Sequence, residues 1–174
     1  MSGGFIVNPK GIDYYNALID ELIANNIEPI VTMYHFDLPQ HIQDIGGLTN
    51  PLFVDYFKFY AEVLFKNFGD RVKTWITFNE PYNFCVHGYA TGIIAPGIKA
   101  EGYAEYLCAH HVLEAHAVTY HLYKQKFFDD QKGKIGISLN SRYFYPFDET
   151  VDEEFCDQTQ DFWVRKSELT NHLT

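Results

Sequence analysis

The stretch "TWITFNEPYN", residues 74–83, decides how this chain is read. Four residues suited to a β-strand, Trp75, Ile76, Thr77 and Phe78, stop abruptly at Asn79, Glu80 and Pro81. β-Branched and aromatic side chains favour a pleated surface, whereas proline has no N–H to give to a ladder. A carboxylate at such a break either shapes a turn or performs chemistry, and the flanking sequence must choose.

Moving outward, two hydrophobic periods alternate. Asn8-Pro9 reads as an N-cap with proline at the first helical position, and Ile12, Tyr15, Ile19, Leu22 and Ile23 follow at three- and four-residue steps. "EPIVTMY" (28–34) is short, β-branched and apolar on both faces, as a strand covered on both sides should be. After a loop holding Gly46-Gly47, Phe53, Tyr56, Phe57, Tyr60 and Leu64 form a helical stripe that ends at Gly69. "RVKTWITF" (71–78) returns to strand character. A third helix over residues 103–127 is expected to bury Tyr106, Ala109, Leu113, Ala117 and Tyr120, and "KIGISLN" (134–140) is a third strand. An acidic, helical segment is expected from Asp152.

Alternation of this kind predicts an α/β fold with a parallel sheet and crossover helices, either an open doubly wound sheet or a (β/α)8 barrel. Each strand ends in polar groups: Tyr34-His35-Phe36-Asp37, Asn79-Glu80 and Asn140-Ser141-Arg142. Barrel enzymes gather catalytic side chains from several adjacent strand ends, whereas an open sheet uses one switch point. No glycine-rich phosphate loop follows any strand, which further disfavours the open nucleotide-binding sheet. Three strands cannot close a barrel, which takes about 250 residues. The expectation is therefore a barrel fragment of about three consecutive parallel strands with their helices.

Composition excludes other classes. Thirteen Lys and Arg against twenty-three Asp and Glu give a net charge of −10, and no basic cluster offers a footprint for nucleic acid or anionic lipid. No apolar run approaches the roughly 20 residues of a membrane span. Met1–Gly4 begins no signal peptide, and secretion of a longer parent stays open. Three cysteines, Cys85, Cys108 and Cys156, are odd in number and irregularly spaced, so no disulfide framework or zinc cluster is implied, and Cys85 is read as packing. His110, His111, His116 and His121 never pair at three or four residues; His110, on the apolar stripe, is read as a core histidine. The acidic run from Asp148 lacks EF-hand spacing and reads as a solvated face.

The blocks "NPKGIDYYNALIDEL" (8–22), "YHFDLPQ" (34–40), "NFGDRVKTWITFNEP" (67–81) and "GKIGISLNS" (133–141), in this order and spacing, resemble glycoside hydrolase family 1, the β-glucosidase family, with an insect-like character. The resemblance runs from about residue 5 to residue 162 and implies a (β/α)8 barrel hydrolysing β-O-glycosides with retention through two glutamates. It gives Glu80 the role of acid/base, a carboxyl that protonates the departing oxygen and then activates water. It gives Asn79 the bond to the sugar 2-hydroxyl and His35 a bond to another glycone hydroxyl. The bland readings are an extended, pre-proline Glu80, an N-capping Asn79 and a partly buried, backbone-satisfied His35. Phe36 stands where the family usually has tryptophan, so an N–H donor is lost. Tyr82 lines the leaving-group side or packs in the core.

The domain expectation is residues 1–162 as a partial barrel and 163–174 as a divergent tail. The family's nucleophile, in a "TENG"-like motif, and its first strands are not found among these residues, so the chain alone is expected to be inactive and of low stability. No cofactor is expected, the partner is a β-glycoside substrate, and the oligomeric state stays open. Two other classes compete: a non-catalytic sugar-binding module keeping Asn79 and His35, and an unrelated barrel metalloenzyme using His35, Asp37 and Glu80.

Overall fold

The computed structural model describes residues 6–141. In chain order the elements are α1 (Pro9–Ala24), β1 (Ile30–Tyr34), α2 (Gln40–Gln43), a 3-10 turn (Gly47–Thr49), α3 (Leu52–Phe68), β2 (Thr74–Asn79), a π-helix (Asn83–Ala90), α4 (Ala104–Lys126), α5 (Phe128–Gln131) and β3 (Lys134–Ser138). The strands form one parallel sheet in the order β1-β2-β3, so α3 and α4 are the crossovers of two consecutive βαβ units. Arg142, the acidic segment from Asp152 and the 163–174 tail lie outside the described residues.

Local chemistry explains the starts of these elements. Asn8 Oδ1 accepts the N–H of Lys10 at 3.1 Å, while Pro9 occupies a position whose N–H would have no helical partner. In the loop after β1, Gly47 has φ +57°, and a Cβ there would collide with Gln43 and Tyr89. That close approach lets the Tyr89 hydroxyl accept the N–H of Leu48 at 3.0 Å and donate to Gln43 Oε1 at 2.7 Å.

β2 is the central strand and runs through the core. Trp75, Thr77 and Phe78 are almost fully buried, with Phe57 of α3 stacked on Phe78 at 4.3 Å between ring centroids and Phe65 edge-on to Trp75. Aromatic pairs of this kind add about 0.5–1.5 kcal/mol each beyond the area they bury. At the far end of α3, Arg71 clamps the helix to α1 through Asp20 at 2.6 Å and through Asn16 at 2.5 Å.

Two packing expectations are corrected. α4 does not bury Tyr106 and Leu113; Tyr106 is 70 % exposed, and the inward face is Cys108, His111, Val112, Ala115, Thr119, Leu122 and Tyr123. Small side chains let α4 approach α3, the π-helix and the sheet together, a requirement that a stripe of aromatics in the sequence conceals. His110 is accordingly exposed beside Glu114, and His111 is the buried histidine, its Nδ1 donating to the Leu48 carbonyl at 3.1 Å. The cover expected on both faces of β1 reaches only its C-terminal end: the successive residues Met33 and Tyr34, which point to opposite faces, are buried, while Ile30 at its start is 64 % exposed.

A third correction is covalent. Cys85 of the π-helix and Cys108 of α4 form a disulfide, their Cα atoms 5.5 Å apart. Spacing in the sequence carries no pairing information, and only the packing of the π-helix on α4 brings the two together. Chain purified without reductant and then denatured should titrate one thiol, not three. Cys85→Ala should lower stability by about 3 kcal/mol in a denaturant titration, from the entropy of a closed loop of this size.

Candidate active site

The parallel register sets Tyr34 of β1 beside Phe78 of β2, so the next residue of each strand, His35 and Asn79, emerge as neighbours on the same rim. Asn79 Nδ2 lies 3.1 Å from His35 Nε2; the amide donates, so the ring nitrogen facing it accepts and the imidazole proton sits on Nδ1. This contact replaces the N-cap reading of Asn79. His35 is exposed rather than partly buried, its own N–H donates to Asp37 Oδ1 at 3.0 Å, and its ring meets Phe36 edge-on. Phe36, 42 % exposed at φ +71°, packs edge-on against Phe84.

Glu80 follows Asn79 with φ +51°, a left-handed conformation that costs a non-glycine residue roughly 1–2 kcal/mol. The extended, pre-proline reading is thereby overturned. Three bonds hold the strained residue: its N–H donates to Ser138 O of β3 at 2.8 Å, its carbonyl accepts the N–H of Asn83 at 2.9 Å, and its Oε2 accepts Asn83 Nδ2 at 2.5 Å. Strain that surrounding structure maintains is concentrated at functional sites, which is a physical pointer to Glu80 independent of any motif.

One turn below the rim, Thr77 occupies an irregularity of the ladder. Ile76 pairs with Gly136 and Asn79 with Ser138, so β2 spends one more residue than β3 over that interval. The Thr77 hydroxyl donates to Gly136 O at 3.2 Å and so must accept from His116 Nδ1 of α4, 2.8 Å away. Burial holds the His116 pKa below the ordinary imidazole value. Asn83, Thr77, His116 and Tyr89 escaped the sequence reading. For Asn83 a signal existed, since it stands three residues after Glu80; the others depend on contacts across 39 and more residues.

The remaining expectations separate. Tyr82 is 41 % exposed and packs edge-on against His87, which places it at the surface and not in the core. Asn140 and Ser141 follow β3 but make no hydrogen bond to Asn79 or Glu80. No three His, Cys, Asp or Glu side chains among the described residues converge as metal ligands do, so His35, Asp37 and Glu80 do not form the ligand set of the metalloenzyme alternative. No helix among those residues is long and apolar enough to cross a membrane.

The family described as glycosyl hydrolase family 1 matches residues 2–167. The chain belongs to that family. Among relatives of this family 1 chain, myrosinase 1 of the aphid Brevicoryne brassicae is 51 % identical over 148 residues, 85 % of this chain and 32 % of the relative. Lactase/phlorizin hydrolase of Rattus norvegicus is 48 % identical over 158 residues, 90 % of this chain and 8 % of the relative. In structure, a rice β-glucosidase superposes with a TM-score of 0.83 at 40 % identity over 94 % of this chain and 37 % of its own, as a mutant in a covalent complex with Glc. The family 1 chain thus spans about a third or less of the relatives it matches, and its three strands are a fragment of their (β/α)8 barrel.

Two measurements follow. The stability contributed by neutral His116 is fully present above pH 6.5, where the unfolded imidazole is also neutral, and is lost as the pH falls below it, because the unfolded chain then binds a proton that the folded ring resists. Urea midpoints across that range should therefore depend less on pH in His116→Gln than in the parent. Glu80→Gly should be more stable than Glu80→Ala by about 1 kcal/mol in the same assay, because only glycine adopts φ +51° without a Cβ penalty.

Proposed function

We propose that this chain supplies the acid/base side of a retaining β-glycosidase, with Glu80 as the acid/base and Asn79 and His35 holding hydroxyls of the glycone. The observation that carries this reading is the carboxylate of Glu80, held in a left-handed backbone one residue beyond the Asn79–His35 pair at adjacent strand ends. In this mechanism the protonated Glu80 gives its proton to the glycosidic oxygen as the bond to the sugar carbon breaks. The alcohol leaves, a second carboxylate holds the sugar covalently, and Glu80 takes a proton from the water that releases it. Asn79 strengthens its bond to the 2-hydroxyl as positive charge grows on the ring. A covalent sugar complex in the rice relative is what such chemistry produces.

The second carboxylate belongs about 5 Å from the first in retaining enzymes. The "TENG"-like motif of the nucleophile does not occur among these residues, so the second carboxylate is assigned outside them, and the 174 residues by themselves are expected not to turn over. Glutamate at position 80 supports O-glycosides as the substrate class, because an alkoxide leaving group needs the proton that a carboxylic acid can give.

Residues 6–141 exchanged for the matching segment of the rice β-glucosidase give a direct test. In that chimera Glu80→Ala should lose about 10²–10⁴ in rate on a glucoside with a poor leaving group, the usual contribution of a general acid. On an activated aryl glucoside the loss should be smaller, and azide should restore turnover with β-glucosyl azide as product. Equal rates for parent and variant on both substrates would remove Glu80 from the chemistry. The 174-residue chain should leave the aryl glucoside intact; turnover lost on Glu80→Gln would show that it holds both carboxylates.

A further inference from the structure

We propose that Asn83 is a positioning residue that decides which oxygen of Glu80 carries the transferable proton. The inference rests on Glu80 being the acid/base. A carboxamide nitrogen donates two hydrogen bonds and accepts none. With Asn83 Nδ2 2.5 Å from Glu80 Oε2, that oxygen must accept in both the ionised and the acid forms, so the proton of the acid resides on Oε1.

The donor is well anchored. Asn83 closes the turn by donating its own N–H to Glu80 O at 2.9 Å, and the other side of Glu80 is tied to β3 through Ser138. The two residues after Asn83 are both buried: Phe84 packs on Tyr34 and Phe78, and Cys85 is covalently joined to α4. The amide therefore sits on a turn whose start is pinned by a sheet bond and whose continuation is pinned by a disulfide. A helix cap would aim its side chain at a backbone N–H; Asn83 instead points its side-chain donor at the neighbouring carboxylate. During turnover Oε1 loses its proton to the glycosidic oxygen as the alcohol departs, then regains one from the water that attacks the sugar, while Oε2 stays on Asn83. The occupied oxygen also stops the carboxyl from rotating its proton away from the scissile bond.

The test uses isotope-labelled full chain and nuclear magnetic resonance. One Nδ2 proton of Asn83 should exchange with solvent about tenfold more slowly than a free carboxamide, the equivalent of a charge-assisted hydrogen bond. That protection should disappear in Glu80→Ala. In Glu80→Gln it should persist, because the introduced carboxamide turns its oxygen to Asn83 and its NH2 outward, in the place of the acid proton. Free exchange of both Nδ2 protons in a parent chain whose core backbone amides, such as that of Phe78, stay protected overturns the proposal, and that measurement needs no variant to fold. Slow exchange of the introduced NH2 in Glu80→Gln, with both Nδ2 protons of Asn83 exchanging freely, overturns it as well, since Asn83 would then be presenting its oxygen. None of these signals requires turnover, so the two readings fail separately. A Glu80→Ala chimera as fast as its parent, with Asn83 still protected, ends both; azide rescue with an unprotected Asn83 ends only this one.

Discussion

The hydroxyl of Thr77 joins three elements at one point, and the candidate site depends on that junction. It lies on β2, gives its hydrogen to the Gly136 carbonyl of β3 and receives one from His116 of α4. The contact sits where β2 uses one more residue than β3, so it stabilises the irregularity that re-aims the strand end. Above it, Asn79 turns to His35 while Glu80 reaches across to Ser138. A buried hydroxyl or imidazole without its partner would cost about 1–3 kcal/mol, so displacing any one of the three elements destabilises the junction for the other two.

Around that point the fold imposes a backbone conformation that Glu80 would not adopt alone. Left-handed backbone at Glu80 is unfavourable, and it survives because a sheet bond, a turn bond and a side-chain bond all require it. The adjoining π-helix is itself held by Phe84 in the aromatic cluster and by the Cys85–Cys108 link to α4. Rigid support under a strained backbone is what the acid/base role proposed for Glu80 requires, since chemistry allows a catalytic group only a small tolerance in position.

The core beneath is aromatic and the edges are open. Phe53, Phe57, Phe65, Trp75 and Phe78 interlock between α3 and β2, whereas β1 and the outer face of α1 leave Ile30, Tyr14 and Ile23 largely exposed. In the solved relatives this piece is about a third of a longer chain, and apolar surface of this kind is what adjoining barrel units cover.

Much of this was legible beforehand. Strand and helix periods depend on neighbours a few residues apart, so β1, β2, β3, α1, α3 and α4 could be placed from the pattern, as could Asn8 as a cap. The order of motif blocks was enough to reach the family, and the strand-end positions of His35, Asn79 and Glu80 came from the same local reading. Which face of α4 is buried, that His111 rather than His110 is interior, that Cys85 meets Cys108, and that Thr77 binds His116 were decided only in three dimensions. The reason is physical: periodicity reports that a face is buried but not how near its neighbours stand. A small side chain at a close approach, a disulfide or a buried hydrogen bond exists only once distant segments have packed.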